Sequence, residues 1–226
     1  HADADARIEI YNSDGSRPEM CGNGIRCVAA LLVGDTHKKN EKTAVNILTD
    51  AGLRQCVVSY NDAAKNFNVT VGMGIANLDP KILPCTGLLA SDNMIELEGF
   101  RFVPVSMGNP HAVIFTVENP AELAAKFGPK LEQHRIFPKR CNIEFAKKLD
   151  SNRFLVSVWE RGAGLTLACG TGACAVAAAA AKMELLELPM EVKISLPGGD
   201  LQIGILNLNL PLEMTGPATP VFEGYL

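Results

Sequence analysis

A chain of 226 residues with 47% hydrophobic content buries a substantial core, and its length accommodates one domain or two. A net charge of −4 provides no basic stripe, which sets aside nucleic acid and anionic membrane surfaces as partners and leaves a small molecule. No apolar run reaches the ~18 residues of a membrane span, the opening HADADAR is no signal peptide, and seven cysteines in so long a chain speak for reduced thiols, so a cytoplasmic protein is expected.

Arg7 to Tyr11 alternates as a strand, and Asn12-Ser13-Asp14-Gly15 is turn chemistry. Cys21 precedes a helix in which Ile25, Val28, Ala29, Leu31, Leu32 and Val33 leave only Arg26 as a polar face; a helix apolar nearly all round is expected inside a core. Gly34 is a natural terminator, and DTHKKNEKT reads as a solvated loop. Val45 to Thr49, Leu53 to Tyr60 and Phe67 to Met73 are rich in β-branched residues and read as three strands around that helix. Asn77 to Gly87, with two prolines and a glycine, reads as the crossing to a second half.

That half opens with strands at Met94 to Leu97, Arg101 to Met107 and His111 to Val117, the latter two flanking Gly108-Asn109-Pro110. Asn119-Pro120-Ala121-Glu122 is a capped start for a peripheral helix ending near Leu131. Strands follow at Asn142 to Ala146 and Arg153 to Glu160. The helix Gly170 to Lys182 holds seven alanines and no charge before its end, which suits close packing under strands. Val192 to Leu196, a Pro-Gly-Gly turn and Leu201 to Leu206 make a hairpin, and a proline-bearing tail closes the chain.

Two stretches share one grammar: YNSDGSRPEMCGNGIRCVAALLVG from Tyr11 and WERGAGLTLACGTGACAVAAAAAK from Trp159. Each carries an aromatic residue ten places before a cysteine, then Gly-Asn-Gly or Gly-Thr-Gly, then an apolar helix. The repeat implies a duplicated α+β fold of two pseudo-symmetric domains, residues 1–78 and 79–226. Each is a mostly antiparallel or mixed sheet wrapped around a central apolar helix, with the active site in the cleft between them. The final dozen or so residues are placed to return to the first half.

A cysteine at a helix start lies beside unpaired backbone N–H groups, which favour a thiolate and also hold a carboxylate. Two such starts facing across a cleft put one thiol on each side of an α-carbon. That is what a cofactor-free racemase or epimerase requires: one base removes the α-proton, and a conjugate acid returns a proton to the opposite face. One thiolate and one thiol are needed, and the pair titrates as a coupled unit.

At these residues the chain resembles the diaminopimelate epimerase family, through YNSDGS with MCGNGIRC, SMGNPHAV, CNIEF and WERGAGLTLACGTGACA. Proline racemases are similar but typically carry histidine where this chain has Asn23. The resemblance implies interconversion of LL- and meso-2,6-diaminopimelate on the route to lysine and peptidoglycan, without cofactor or metal, by a homodimer. It implies Cys21 and Cys169 as the bases, with Gly22, Asn23, Gly170 and Thr171 as N–H donors to the reacting carboxylate. It further implies that Asn12, Asn109, Asn142 and Arg161 hold the distal end of the substrate, with Glu160 and His111 near the reacting centre. A guanidinium and amide oxygens suit a second carboxylate and ammonium. The family's opening Gly-Asn-Asp-Phe segment is not in this sequence, so the first half is expected without its opening strands.

Cys27, Cys56, Cys85, Cys141 and Cys174 read as small buried hydrophobes. Cys21 with Cys27 and Cys169 with Cys174 have five and four intervening residues, unlike the tight pairs of structural zinc sites. Two other readings are another cofactor-free racemase or isomerase on this fold, and a non-catalytic binding protein that keeps the scaffold.

Overall fold

A computed structural model describes residues 3–11, 15, 17, 18, 20–34, 41–81, 94–222 and 224. The first half contributes β1 (Ala6–Arg7), α1 (Gly22–Val33), β2 (Thr43–Thr49), β3 (Gly52–Asn61) and β4 (Asn66–Gly74). After the crossing come β5 (Ile95–Leu97), β6 (Phe100–Ser106), β7 (Pro110–Phe115), α2 (Pro120–Glu132), β8 (Asn142–Lys148) and β9 (Arg153–Glu160). Then follow β10 (Gly164–Thr166), α3 (Gly170–Lys182), β11 (Met190–Leu196), β12 (Gly199–Ile205) and β13 (Leu212–Ala218). The fold is α+β, as expected: a large mixed sheet with few helices.

The strands form one hydrogen-bonded path, β1-β2-β3-β4-β13-β12-β11-β9-β8-β7-β6-β5, with β10 paired to β9. β13 is its hinge point, because it pairs with β12 on one side and with β4 of the first half on the other. α1 packs on β2, β3, β4 and β13, and α3 on β6, β7, β8, β11, β12 and β13. Each helix therefore has its own strand wrapping and shares one strand with the other. α2 lies apart, against β8, β9 and β10, over a second core cluster built on Phe102, Phe137, Ile143 and Phe145.

α3 is buried from Gly170 to Ala180, as its alanines predict. α1 departs from expectation. Its buried face is Gly22, Ile25, Arg26, Ala29, Ala30 and Val33, the i, i+3, i+4 spacing of one helical stripe, while Leu31 is 80% exposed and Cys27 is exposed. Arg26, read as the polar face, is instead 7% exposed and donates from Nε to the Pro217 carbonyl of β13 at 3.3 Å. The guanidinium is long enough to satisfy itself on backbone oxygens across the core. Cys56, Cys141 and Cys174 are buried as expected; Cys85 lies outside the described residues.

Two strand boundaries also differ. β1 stops at Arg7 because its parallel partner β2 ends at Thr49 just after the Ile8 N–H reaches Leu48, and Glu9 to Tyr11 find no strand partner among the described residues. The proline-bearing tail contains a central strand, β13. Pro217 is tolerated there because β12 pairs only with Glu213 to Thr215, so the N–H that proline lacks falls beyond that ladder. Most of the crossing segment expected at Asn77 to Gly87 lies outside the described residues, although Asn77 bridges to Ser106.

Candidate active site

The site begins at two helix starts of one geometry. Cys21 caps α1 with φ −135° and ψ 108°, and Cys169 caps α3 with φ −126° and ψ 111°. Each sulfur accepts the backbone N–H three residues on, from Gly24 and from Gly172, at 3.4 Å in both cases. Oxygen-bearing residues are the preferred caps and sulfur is a weak acceptor, so a cysteine at both caps is chemically poor for helix stability alone. The amides of Gly22 and Asn23, and of Gly170 and Thr171, fall in the first turn, where a helix provides no acceptor.

The two starts meet. A Cβ on Gly170 would stand 3.4 Å from Gly22 Cα and 2.9 Å from the Met214 sulfur, and one on Gly22 would stand 2.8 Å from the Met214 methyl. Glycine at both positions lets the helix N-termini close around Met214 of β13. The Asn23 amide seals the junction by donating to the Ala168 carbonyl at 3.1 Å, one residue before Cys169.

One cavity of about 310 Å³ opens over this junction. Cys21, half-buried, and Cys169, 6% exposed, both line it, together with Gly22, Asn23, Gly170 and Thr171. Asn109, Asn142, Glu160 and Arg161 line it as well. The fold thus brings together every expected site residue except two. Asn12 lies outside the described residues, and His111 is fully buried behind Asn109 rather than on the cavity wall.

The polar groups are held by one another. Asn142 donates from Nδ2 to the Pro110 carbonyl at 2.9 Å and accepts the Arg161 N–H at 2.9 Å, which fixes the turn bearing Arg161. Glu160 accepts the Thr166 hydroxyl from β10. Glu132, 3% exposed at the end of α2, takes the Trp159 indole N–H at 3.1 Å and the Gly162 N–H at 2.9 Å, and so clamps both sides of Glu160-Arg161. His111 stands 2.6 Å from Glu144 through Nδ1 and 2.9 Å from Asn109 Oδ1 through Nε2. Asn109 Nδ2 donates to the Thr171 hydroxyl at 3.2 Å, and that hydroxyl is 3.5 Å from the Cys169 sulfur.

Burial pushes the Cys169 thiol well above its ordinary pKa, and the nearby Glu160 charge adds to this, while the Thr171 hydroxyl and Gly172 amide pull against it. Burial likewise raises the Glu144 carboxyl, against the opposing pull of His111. A thiol so placed stays protonated until something stabilises its anion.

Glu144, Arg17, Lys139 and Arg140 were not anticipated from the sequence, although the last three line the cavity. A signal existed for Glu144: a carboxylate between Ile143 and Phe145 in a strand buried on both faces needs a partner inside the protein. Lys139-Arg140, in the run PKRCN, was a basic pair one residue short of Asn142. With Arg161, the side chains of Arg17, Lys139 and Arg140 add cations to the cavity wall, two of them already paired: Arg17 with Asp50 at 2.6 Å and Arg140 with Glu132 at 3.6 Å.

A family model described as diaminopimelate epimerase matches residues 1–78 and 103–221. A diaminopimelate epimerase from Agathobacter rectalis is 39% identical over 98% of this chain and 80% of its own length. One from Acetivibrio thermocellus is 42% identical over 98% of this chain and 79% of its own. Among solved structures, a hydroxyproline epimerase from Agrobacterium vitis superposes with a TM-score of 0.69 at 19% identity, covering 96% of this chain and 69% of that one. A predicted epimerase from Pseudomonas aeruginosa gives 0.66 at 16% identity, over 96% and 80%. At these identities the solved structures speak to the fold.

Proposed function

The chain belongs to the diaminopimelate epimerase family, and on that premise we propose that it interconverts LL- and meso-2,6-diaminopimelate by a two-base reaction at Cys21 and Cys169. The observation that carries the reading is the meeting of two cysteine-capped helix N-termini on a single cavity. A thiolate on one side takes the α-proton, the carbanion's charge spreads onto the carboxylate, and the thiol on the other side returns a proton to the opposite face. No atom is gained or lost. The first-turn amides of Gly22, Asn23, Gly170 and Thr171 are the donors for that developing charge; a donor of this kind removed from other enzymes costs about 3–4 kcal/mol.

In this reading Arg161, whose N–H is held by Asn142, receives the distal carboxylate together with Asn109, Asn12 is assigned to the distal end by the family resemblance, Glu160 serves the α-ammonium, and His111 acts from behind Asn109. The cationic side chains Lys139 and Arg161 on the cavity wall suit a substrate with a second carboxylate. The reaction calls for no cofactor. No helix among the described residues is long and apolar enough to cross a membrane. A cytoplasmic location, a homodimer and a division into halves at residues 1–78 and 79–226 complete the reading: the homodimer rests on family membership, the division on the repeated cysteine phrases and the location on the reduced-thiol reading of the seven cysteines.

The test is direct. Reduced protein incubated with LL-diaminopimelate should produce the meso isomer by NMR, and Cys21→Ala or Cys169→Ala should abolish conversion. Turnover of proline or 4-hydroxyproline with none of diaminopimelate would overturn the substrate assignment.

A further inference from the structure

Glu144 has no part in the reading above, yet its placement is costly. It is fully buried, its Oε2 has no hydrogen-bond partner among the described residues, and a Cβ on Gly172 would stand 3.0 Å from its Oε1, so it lies directly under the first turn of α3. Among the described residues it hydrogen-bonds one side chain, His111, at 2.6 Å. From there a single file of contacts leads to Cys169 through Asn109 and Thr171.

The direction of that file is fixed by its members. Asn109 uses its N–H toward Thr171, so its Oδ1 is an acceptor and His111 Nε2 must carry hydrogen. One proton then lies between Nδ1 and Glu144 Oε1, giving imidazolium with carboxylate or imidazole with carboxylic acid; the pair is neutral either way. Thr171 accepts from Asn109, which leaves its own hydroxyl hydrogen for the sulfur. We infer that Glu144 is a positioning residue: by holding His111 with hydrogen on Nε2 it orients Asn109 and Thr171 so that the Thr171 hydroxyl donates to Cys169. The inference builds on the proposed role of Cys169 as a proton-accepting thiol and assigns the chain that prepares it. Cys21 has the Gly24 amide as its counterpart to Gly172, and no such file is seen at it among the described residues.

The titratable groups packed around the pair are Glu160 from β9 and Cys169 at the start of α3. The Glu144 charge itself opposes the Cys169 thiolate, less than that of Glu160, so its loss alone would speed labelling, and slower labelling in Glu144→Met reports the direction of the file.

Two measurements test this. ¹⁵N NMR of histidine-labelled, reduced protein, with His111→Gln to assign the ring among four histidines, should find hydrogen on Nε2. A neutral ring protonated on Nδ1 alone would overturn the inference, because Asn109 would then face the other way and Thr171 would donate to it instead. Iodoacetamide labelling across pH, read by peptide mass spectrometry with Cys21 as reference in the same sample, should be slowed at Cys169 by roughly tenfold or more in Glu144→Met and in Thr171→Val. The double variant should be no slower than Thr171→Val alone. Glu144→Gln, whose amide N–H donates to Nδ1, should label like the parent. Additive effects in the double variant, or Glu144→Gln as slow as Glu144→Met, would overturn it. If Glu144→Met fails to fold, the ¹⁵N spectrum of the parent and the Glu144→Gln rate decide. None of these readouts uses diaminopimelate, so a failed substrate assignment and a failed file are told apart.

Discussion

The starts of α1 and α3 carry the same cap, with backbone angles within ten degrees and the same sulfur-to-amide distance, but their surroundings differ. α3 is buried along eleven residues, and its cysteine is 6% exposed with Thr171 added as a second partner. α1 exposes Cys27 and Leu31, and its cysteine is half-buried with one amide partner. A duplicated motif supplies two similar thiols; unequal packing makes them chemically unlike. In the proposed two-base reaction one sulfur holds a proton while the other lacks one, and the two exchange states with each conversion, so unequal packing biases the resting arrangement without being required by the chemistry.

The largest effect should come from removing either member. Cys21→Ala or Cys169→Ala should lower conversion by at least ~10²–10⁴-fold, the usual contribution of a positioned acid or base, as measured by NMR. Similar loss in both would show that the unequal surroundings do not make one sulfur dispensable. Next, Arg161→Ala should reduce kcat/KM for diaminopimelate by roughly 10–100-fold with the fold intact, as for loss of a charged hydrogen bond. Unchanged kinetics would remove Arg161 from the site.

The packing difference can be probed without substrate. Ala177→Leu in α3, where the side chain is fully buried, should cost about 1–3 kcal/mol of stability in urea melts. Leu31→Lys on the open face of α1 should stay within about 0.5 kcal/mol. Equal costs would mean that α1 is enclosed in solution.

A further effect is alkaline. Burial raises the Cys56 thiol to about 11 and the Cys174 thiol to about 12. Once unfolded, both thiols release protons from the ordinary value near 9, so above that pH the unfolded chain binds fewer protons than the folded one. Stability is therefore full below pH 9 and falls above it, by at most ~1.4 kcal/mol per pH unit for each thiol. Cys174→Ala should flatten the fall measured by urea melts between pH 9 and 11, and an unchanged slope would rule that thiol out as its source.

Much of this architecture was legible beforehand because its local rules are strong. Asn119-Pro120-Ala121-Glu122 predicted the cap of α2, and Asn119 does accept the Ala121 N–H at 3.0 Å. The alanines of α3 predicted its burial, and the duplicated cysteine phrases predicted paired helix starts. What escaped were properties set by distant neighbours. Arg26 looked like a solvent face and is buried because β13, some 190 positions later, presents carbonyl oxygens to it. Pro217 looked like a loop residue because sequence does not reveal where β12 stops pairing. Glu144 looked like one polar residue in a strand; its meaning comes from His111 on the adjacent β7 and Gly172 above it. Residue type indicated which groups could do chemistry, and the sheet register determined which could reach it.

The most direct test of two unequal thiols is where deuterium goes. Reduced protein is incubated with LL-diaminopimelate in D₂O, the reaction is stopped early, and recovered substrate and product are separated and examined by NMR and mass spectrometry. Two single-proton bases on opposite faces predict deuterium at the inverted carbon of the meso product while recovered LL substrate keeps its hydrogen. Deuterium entering recovered substrate as fast as product forms would mean that one base serves both faces, and would contradict the account.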